Sequence, residues 1–174
     1  MLAAALTSTL VLGAGSLAAD RLRTSTADSV PGASHTATDE QTKVEVVEHA
    51  KQIVAVAALQ NPTGGYLLMS CKNREDPPYQ GAVYIDFTLP ADAHGNAYFQ
   101  GIARAMVARG WREGLPPNQH VFGTTLSKDG VTASLYPDSS SPAHGVARVY
   151  GRCHDMNNHR GESPAWVDIT DQLH

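Results

Sequence analysis

The sequence predicts a two-layer α+β domain, in which two helices pack on one face of a mainly antiparallel sheet of about five or six strands. Apolar residues recur at three- and four-residue spacing in two segments and at alternate positions in several others. In addition, Asp129-Gly130 lies between two alternating runs, and this dipeptide favours the type I′ turn of a two-residue hairpin. Together these patterns predict helices and antiparallel strands in one domain.

The first helix is predicted to begin at Thr38 and to end before Asn61-Pro62. Thr38 and Gln41 have the spacing of a capping box, in which each side chain bonds the other residue's backbone amide. The residues predicted to face the core are Val44, Val47, Ile53, Val54 and Ala57.

Two strands are predicted next. A turn at 63–65 leads into the run 66–71, YLLMSC, which reads as a central strand because both of its faces are apolar. A second strand covers 82–89, where Val83, Ile85 and Phe87 alternate with more polar residues. That alternation predicts a strand with one buried face.

The second helix is predicted over 96–109, and Gly110 is suited to the left-handed cap that ends it. Its predicted buried stripe consists of Phe99, Ile102, Ala103 and Met106. Trp111 follows at once and is predicted to begin a short strand. The hairpin around Asp129-Gly130 and a last strand over 146–153 complete the sheet.

The two cysteines, Cys71 and Cys153, are predicted to form a disulfide if the protein is exported, since disulfides persist in oxidising compartments. Whether the two cysteines can meet depends on the number of strands between them. If 111–113 is a strand and every element reverses direction, the two cysteines end their strands at the same edge of the sheet. A disulfide therefore favours six strands over five.

The N-terminus indicates export. Residues 2–19 carry no charge, and small residues near Ala18 and Ala19 suit cleavage by a signal peptidase. We therefore predict a signal peptide or membrane anchor over 1–19, a disordered linker over 20–38 and a single domain over 39–174. The location predicted is the cell envelope or the outside of the cell, with single-pass anchoring if the segment is not cleaved.

Composition excludes some functions. The net charge is −4 and aromatic residues make up 6% of the chain, so neither a basic stripe nor a set of stacking rings for nucleic acid is expected. Walker, zinc-protease and nucleophile-elbow motifs are absent from the sequence. No catalytic residue, cofactor or nucleic-acid partner is predicted, and the sequence favours a non-enzymatic protein.

Two groups of residues are candidates for binding. The first is an arginine patch for an anionic ligand, formed by Arg148, Arg152, Arg104 and Arg109 if helix and sheet edges converge. The second is the segment 153–159, where Cys153, His154, Asp155 and His159 have side chains that could bind a metal or support Cys/His catalysis. No metal is predicted, because an oxidised Cys153 supplies no thiolate; His154, Asp155 and His159 remain the alternative.

The segments YLLMSCKN, DPPYQGAVYIDFTLP, ARAMVARGW, TLSKDGVTASLY and VYGRC resemble small exported, lipoprotein-type domains of actinobacteria, including mycobacteria. The resemblance covers about 44–155 and implies an export signal and a polar spacer, but no known activity. This chain lacks the cysteine that lipoprotein members carry after the signal. The expected function is binding of a protein partner or an envelope ligand outside the cytoplasm.

Overall fold

The computed structural model describes residues 36–73, 76–93, 95–114, 123–162 and 164–174. The predicted signal or anchor over 1–19 and the linker up to 35 lie outside these residues. All described residues fall in one compact unit, Ser34–His174.

The described residues form two helices, seven strands and a short 3-10 helix near the C-terminus. In chain order these are α1 Asp39–Ala57, β1 Gln60–Ser70, β2 Tyr79–Thr88, α2 Gly95–Val107, β3 Arg112–Glu113, β4 Thr124–Lys128, β5 Val131–Pro137, β6 His144–Tyr150, β7 Val167–Asp168 and the 3-10 helix Thr170–Gln172.

The seven strands form one sheet in the order β3-β4-β5-β6-β2-β1-β7, and every neighbouring pair is antiparallel. Both helices pack on one face of this sheet, where they share a hydrophobic core with the inward residues of the strands. The predicted α+β architecture is confirmed. The strand count is slightly higher than predicted because β7, two residues long, pairs with β1.

Helix α1 begins with the predicted capping box. The Gln41 amide donates to Thr38 Oγ1 at 3.2 Å, and the Thr38 amide donates to Gln41 Oε1 at 3.0 Å. The prediction that Val44 faces the core is wrong, since Val44 is 49% exposed. It lies two residues from buried Val46, which places it about 200° around the helix. The hydrophobic residues that α1 buries are Val46, Val47, Ala50, Ile53 and Val54.

The inner face of the sheet follows the predicted alternation. Val83, Ile85 and Phe87 of β2 are buried, as are all four residues of the predicted α2 stripe. In the hairpin, Lys128 pairs with Val131, and both turn residues have positive φ angles, 51° at Asp129 and 84° at Gly130. Local sequence therefore determined this part of the core.

Strand β1 differs from its prediction in two ways. It is the second strand from an edge rather than central, because only β7 lies beyond it. It also begins at Gln60, so Gly64 and Gly65 lie inside the strand and not in a turn. A Cβ added at Gly64 would lie 2.7 Å from Leu173 Cδ1, so the glycine leaves room for the C-terminal segment.

A disulfide joins Cys71 and Cys153, whose Cα atoms are 6.1 Å apart. Strands β1 and β6 both pair antiparallel with β2, so they run parallel to each other and end at the same edge of the sheet. Cys71 follows β1 and Cys153 follows β6. The predicted strand after α2 is present as β3, although Trp111 lies just before it and is buried at 1% exposure.

Both ends of the described chain pack against the domain. Ala37 is buried, and its amide donates to the His154 carbonyl at 3.1 Å, so the folded unit already includes the end of the predicted linker. At the C-terminus, Ile169 and Leu173 are buried, whereas Trp166 and Val167 are each 54% exposed. The C-terminal segment thus docks through two side chains and presents two others to solvent.

Candidate functional site

The sheet face opposite the helices carries polar and aromatic side chains. Antiparallel pairing aligns residues into rows that share a face, and one row crosses five adjacent strands. Ser134 of β5 pairs with Arg148 of β6, Arg148 with Tyr84 of β2, Tyr84 with Gly65 of β1, and Gly65 with Asp168 of β7. The fold thereby places a cation, an aromatic ring and a carboxylate on one surface.

Arg148 is exposed, and its guanidinium lies over two tyrosine rings. The guanidinium carbon is 5.8 Å from the ring centroid of Tyr84 and 5.8 Å from that of Tyr136. Partial burial lowers the pKa of Arg148, but the hydroxyl of Tyr150 and the neighbouring tyrosines outweigh it, so the net shift is upward. Among the described residues, no carboxylate lies within ion-pair distance of this guanidinium.

Trp166 extends this surface over the middle of β1. A Cβ atom added at Gly65 would lie 3.2 Å from Trp166 Cε3, so the indole rests against a strand position that has no side chain. The ring centroids of Trp166 and Tyr84 are 6.3 Å apart with an interplanar angle of 60°. An indole that is held in place yet 54% exposed is a typical element of a binding surface.

Four side chains on this face border an open depression of about 510 Å³: Tyr84, Arg148, Trp166 and Asp168. We call the set Tyr84, Tyr136, Arg148, Trp166 and Asp168 the Arg148 surface. Its guanidinium can donate two parallel hydrogen bonds to a carboxylate or phosphate, and its rings can cover a flat or apolar group. The Asp168 carboxylate accepts from the Thr170 amide at 2.8 Å, and this hydrogen bond lowers its pKa.

The other predicted arginines lie elsewhere. Arg152 forms an ion pair with Glu45 of α1 at 2.5 Å, and Arg104 lies on α2, on the other side of the sheet. Arg109 follows α2, and its carbonyl accepts a hydrogen bond from Lys128. The structure therefore does not gather the four arginines into one patch, because the strand and helix positions that carry them face different sides of the sheet.

The second predicted group, in the segment 153–159 after β6, does not form a single cluster. The sulfur of Cys153 is in the disulfide, so the chain has no thiol for a Cys/His nucleophile. His154 Nε2 lies 3.4 Å from Glu45 Oε2 and does not meet the other members. Asp155 and His159 do come together, and the residue that joins them is Asp39 in the first turn of α1.

Sequence reasoning missed Tyr84, Tyr136, Trp166, Asp168 and Asp39. The alternation of β2 already placed Tyr84 on the face opposite the core, and the exposed end of β7 could not be foreseen from a two-residue strand. Asp39 follows the helix cap, where an acidic residue has an ordinary role in stabilising the helix N-terminus. Nothing local distinguishes it from such a residue.

Residues 38–172 match the family described as "Putative lipoprotein LppJ". Proteins with this description from Mycobacterium tuberculosis (strain CDC 1551 / Oshkosh) and Mycobacterium bovis (strain ATCC BAA-935 / AF2122/97) are each 43% identical to this chain over 141 residues. The matched region is 80% of this chain and 72% of each relative. No solved structure matches. In the part of the chain that the structure describes, no helix is both long and apolar enough to cross a membrane.

Proposed function

The chain belongs to the family described as "Putative lipoprotein LppJ", and on that premise we propose that it is a non-enzymatic binding domain held at the outer side of the cytoplasmic membrane. Membership confirms the resemblance to exported actinobacterial proteins and supports a cell-envelope location. The disulfide is consistent with that location, since such bonds persist outside the reducing cytosol. The tether would be the N-terminal segment 1–19.

The proposed binding site is the Arg148 surface. The observation that carries this proposal is a guanidinium that is exposed and has two tyrosine rings but no carboxylate beside it among the described residues. An anionic group of a ligand would complete the interactions of Arg148, and the ring of Trp166 would cover an adjoining flat or apolar part. The ligand class we propose is therefore an envelope ligand or protein segment that presents a carboxylate or phosphate beside such a group.

Site-specific photo-crosslinking in the native host tests the proposal. A photoreactive phenylalanine analogue at Trp166 of the full chain should capture a discrete species. The same analogue at Val44 or Val107, which are 49% and 45% exposed on the helices, should not. Arg148→Met keeps the apolar stem but removes the charge, so it should reduce capture at Trp166 by tenfold or more. Equal capture at all three positions, or capture that Arg148→Met leaves unchanged, would contradict this site.

Cell fractionation tests the location. The full chain should sediment with membranes and should be cleaved by protease added to cells whose cytoplasm is sealed. A chain that begins at residue 36 should be absent from the membrane fraction. Recovery of the full chain in the cytosol with both thiols free would contradict the extracytoplasmic assignment.

A further inference from the structure

Three electron-rich groups converge where the first turn of α1 meets the segment after β6. Oxygen atoms of Asp39 and Asp155 and a ring nitrogen of His159 all lie within 4.8 Å of one another. We propose that Asp39, Asp155 and His159 bind a divalent transition-metal ion, for which Zn²⁺ is the probe. We call these three residues the Asp39 cluster.

His159 has the environment of a metal ligand. Its side chain is 10% exposed, and its Nδ1 lies 3.1 Å from Glu162 Oε2. A ring that donates its Nδ1 proton to a carboxylate carries a lone pair on Nε2, which is the arrangement found behind metal-bound histidines. Nε2 is buried and makes no well-aligned hydrogen bond; it faces the two aspartates and lies 3.3 Å from Asp39 Oδ1. In that tautomer a buried acceptor faces two further acceptors, and a cation bound between them would satisfy all three.

Contacts on both sides hold the imidazole in this orientation. The ring of buried Tyr79 packs edge-on against it, with ring centroids 4.8 Å apart and an interplanar angle of 84°. Glu162 contacts Nδ1, the ring nitrogen that does not face the aspartates. Since a ligand that is already oriented loses little rotamer freedom on binding, this packing favours metal affinity.

The carboxylates are oriented in the same manner. Asp155 is fully buried, and its Oδ1 accepts a hydrogen bond from the Asn157 amide at 2.9 Å. The side-chain amide of Asn157 donates to Asp39 Oδ1 at 2.6 Å, so one asparagine positions both aspartates. Burial, together with the neighbouring Asp39, raises the pKa of Asp155. A divalent cation would offset the repulsion between the two carboxylates.

The separation of Asp39 and His159 fits two ligands of one metal ion. Asp39 Oδ1 and His159 Nε2 are 3.3 Å apart. Two ligands at about 2.0–2.1 Å from Zn²⁺, separated by a tetrahedral angle, lie about 3.3–3.4 Å from each other. One imidazole with two carboxylates suits zinc or manganese better than magnesium or calcium, which prefer oxygen ligands alone. Asp39 belongs to α1 and the other two follow the disulfide, so the ion would join the helix N-terminus to that segment.

The test is isothermal titration of Zn²⁺ into the full chain, made without a histidine tag and treated with chelator. One equivalent should bind with a dissociation constant of about 10 µM or lower. Asp39→Asn and His159→Gln should each weaken binding at least tenfold, since loss of a group that only supports a ligand already weakens binding by about 10–100-fold. Asp39 is exposed, so Asp39→Asn should remain folded, and circular dichroism checks this. Co²⁺ should give visible absorption bands that Asp39→Asn abolishes.

His144→Gln is the matched control. His144 Nδ1 lies 2.6 Å from Asp86 Oδ1, so this substitution removes a histidine that is paired with one carboxylate outside the Asp39 cluster. It should leave Zn²⁺ affinity unchanged. Equal affinity in the wild-type chain and His159→Gln, or only millimolar binding in all variants, would overturn the proposal and leave His159 as the positive partner of Asp39 and Glu162. None of these outcomes depends on the Arg148 surface.

Discussion

Removal of the disulfide should lower the free energy of unfolding by up to about 4.5 kcal/mol. The bond closes a separation of 82 residues, and the chain-entropy model gives about 4.5 kcal/mol for a loop of that size in the unfolded state. Cys71 is half-buried and Cys153 is exposed, so replacing both with alanine removes little packing. The expected loss for Cys71→Ala/Cys153→Ala is therefore about 2–4.5 kcal/mol, nearly all of it from the freed unfolded chain.

Urea denaturation of the oxidised protein, the reduced protein and the double variant measures this loss. The reduced protein and the variant should agree with each other, and both should show a larger denaturant slope because the open chain exposes more surface. Reductant should not change the variant. A difference below about 1 kcal/mol between oxidised and reduced protein would refute the assignment of this stabilisation to loop closure.

Three further predictions concern single positions. Gly81→Ala should destabilise the domain by about 1–3 kcal/mol in urea denaturation, since a Cβ at this position would lie 2.8 Å from the carbonyl oxygen of Thr42. Gln52→Leu should cost about 1–3 kcal/mol because it removes the acceptor, at 2.9 Å, of the buried Trp111 indole N–H. The Asp168 carboxyl should titrate below its ordinary pKa of 3.8 in an NMR titration. Because its folded pKa is lowered, its contribution to stability is present above pH 3.8 and is lost as the pH falls through the lower value.

Matched variants serve as controls for Gly81→Ala and Gln52→Leu. Gly101→Ala lies in α2, where an added Cβ would meet only Arg104 Nη2 at 4.0 Å, so it should stabilise the domain by about 0.5–1 kcal/mol. Gln100→Leu changes the same residue type as Gln52→Leu but at an exposed helix position, and it should change stability by less than about 0.5 kcal/mol. A loss in Gly101→Ala equal to that in Gly81→Ala would show that the cost does not come from the close approach of Thr42.

Local chemistry explains which predictions succeeded. The capping box at Thr38, the hairpin at Asp129-Gly130 and the alternation in β2 depend on residues close in sequence, so their physical reasons are present in the chain itself. The disulfide partner of Cys71 also followed, because only one other cysteine exists. Only part of the candidate sites could be anticipated: Arg148 was in the predicted patch, and Asp155 and His159 were in the alternative metal set.

Long-range packing explains the remainder. The apolar run of β1 indicated a central strand, but the strand order places β1 next to an edge, where only β7 lies beyond it and pairs through Gly65 and Tyr66. The predicted arginine patch required the helix arginines and the strand arginines to lie on one surface. Instead, Arg148 is on the face of the sheet opposite the helix that carries Arg104. Strand register, which aligns Arg148 with Tyr84 and Gly65, is a property of three strands and cannot be read from any one of them.

The sequence by itself determined the α+β class, the helix boundaries to within a few residues, the hairpin register and the inward face of β2. Each of these follows from interactions between residues that are close in the sequence and therefore also close in space. Only the tertiary structure decided that Tyr84, Arg148 and Trp166 share a surface and that Asp39 meets Asp155 and His159. Those groups are distant in sequence, and the sheet order and the docking of α1 bring them together.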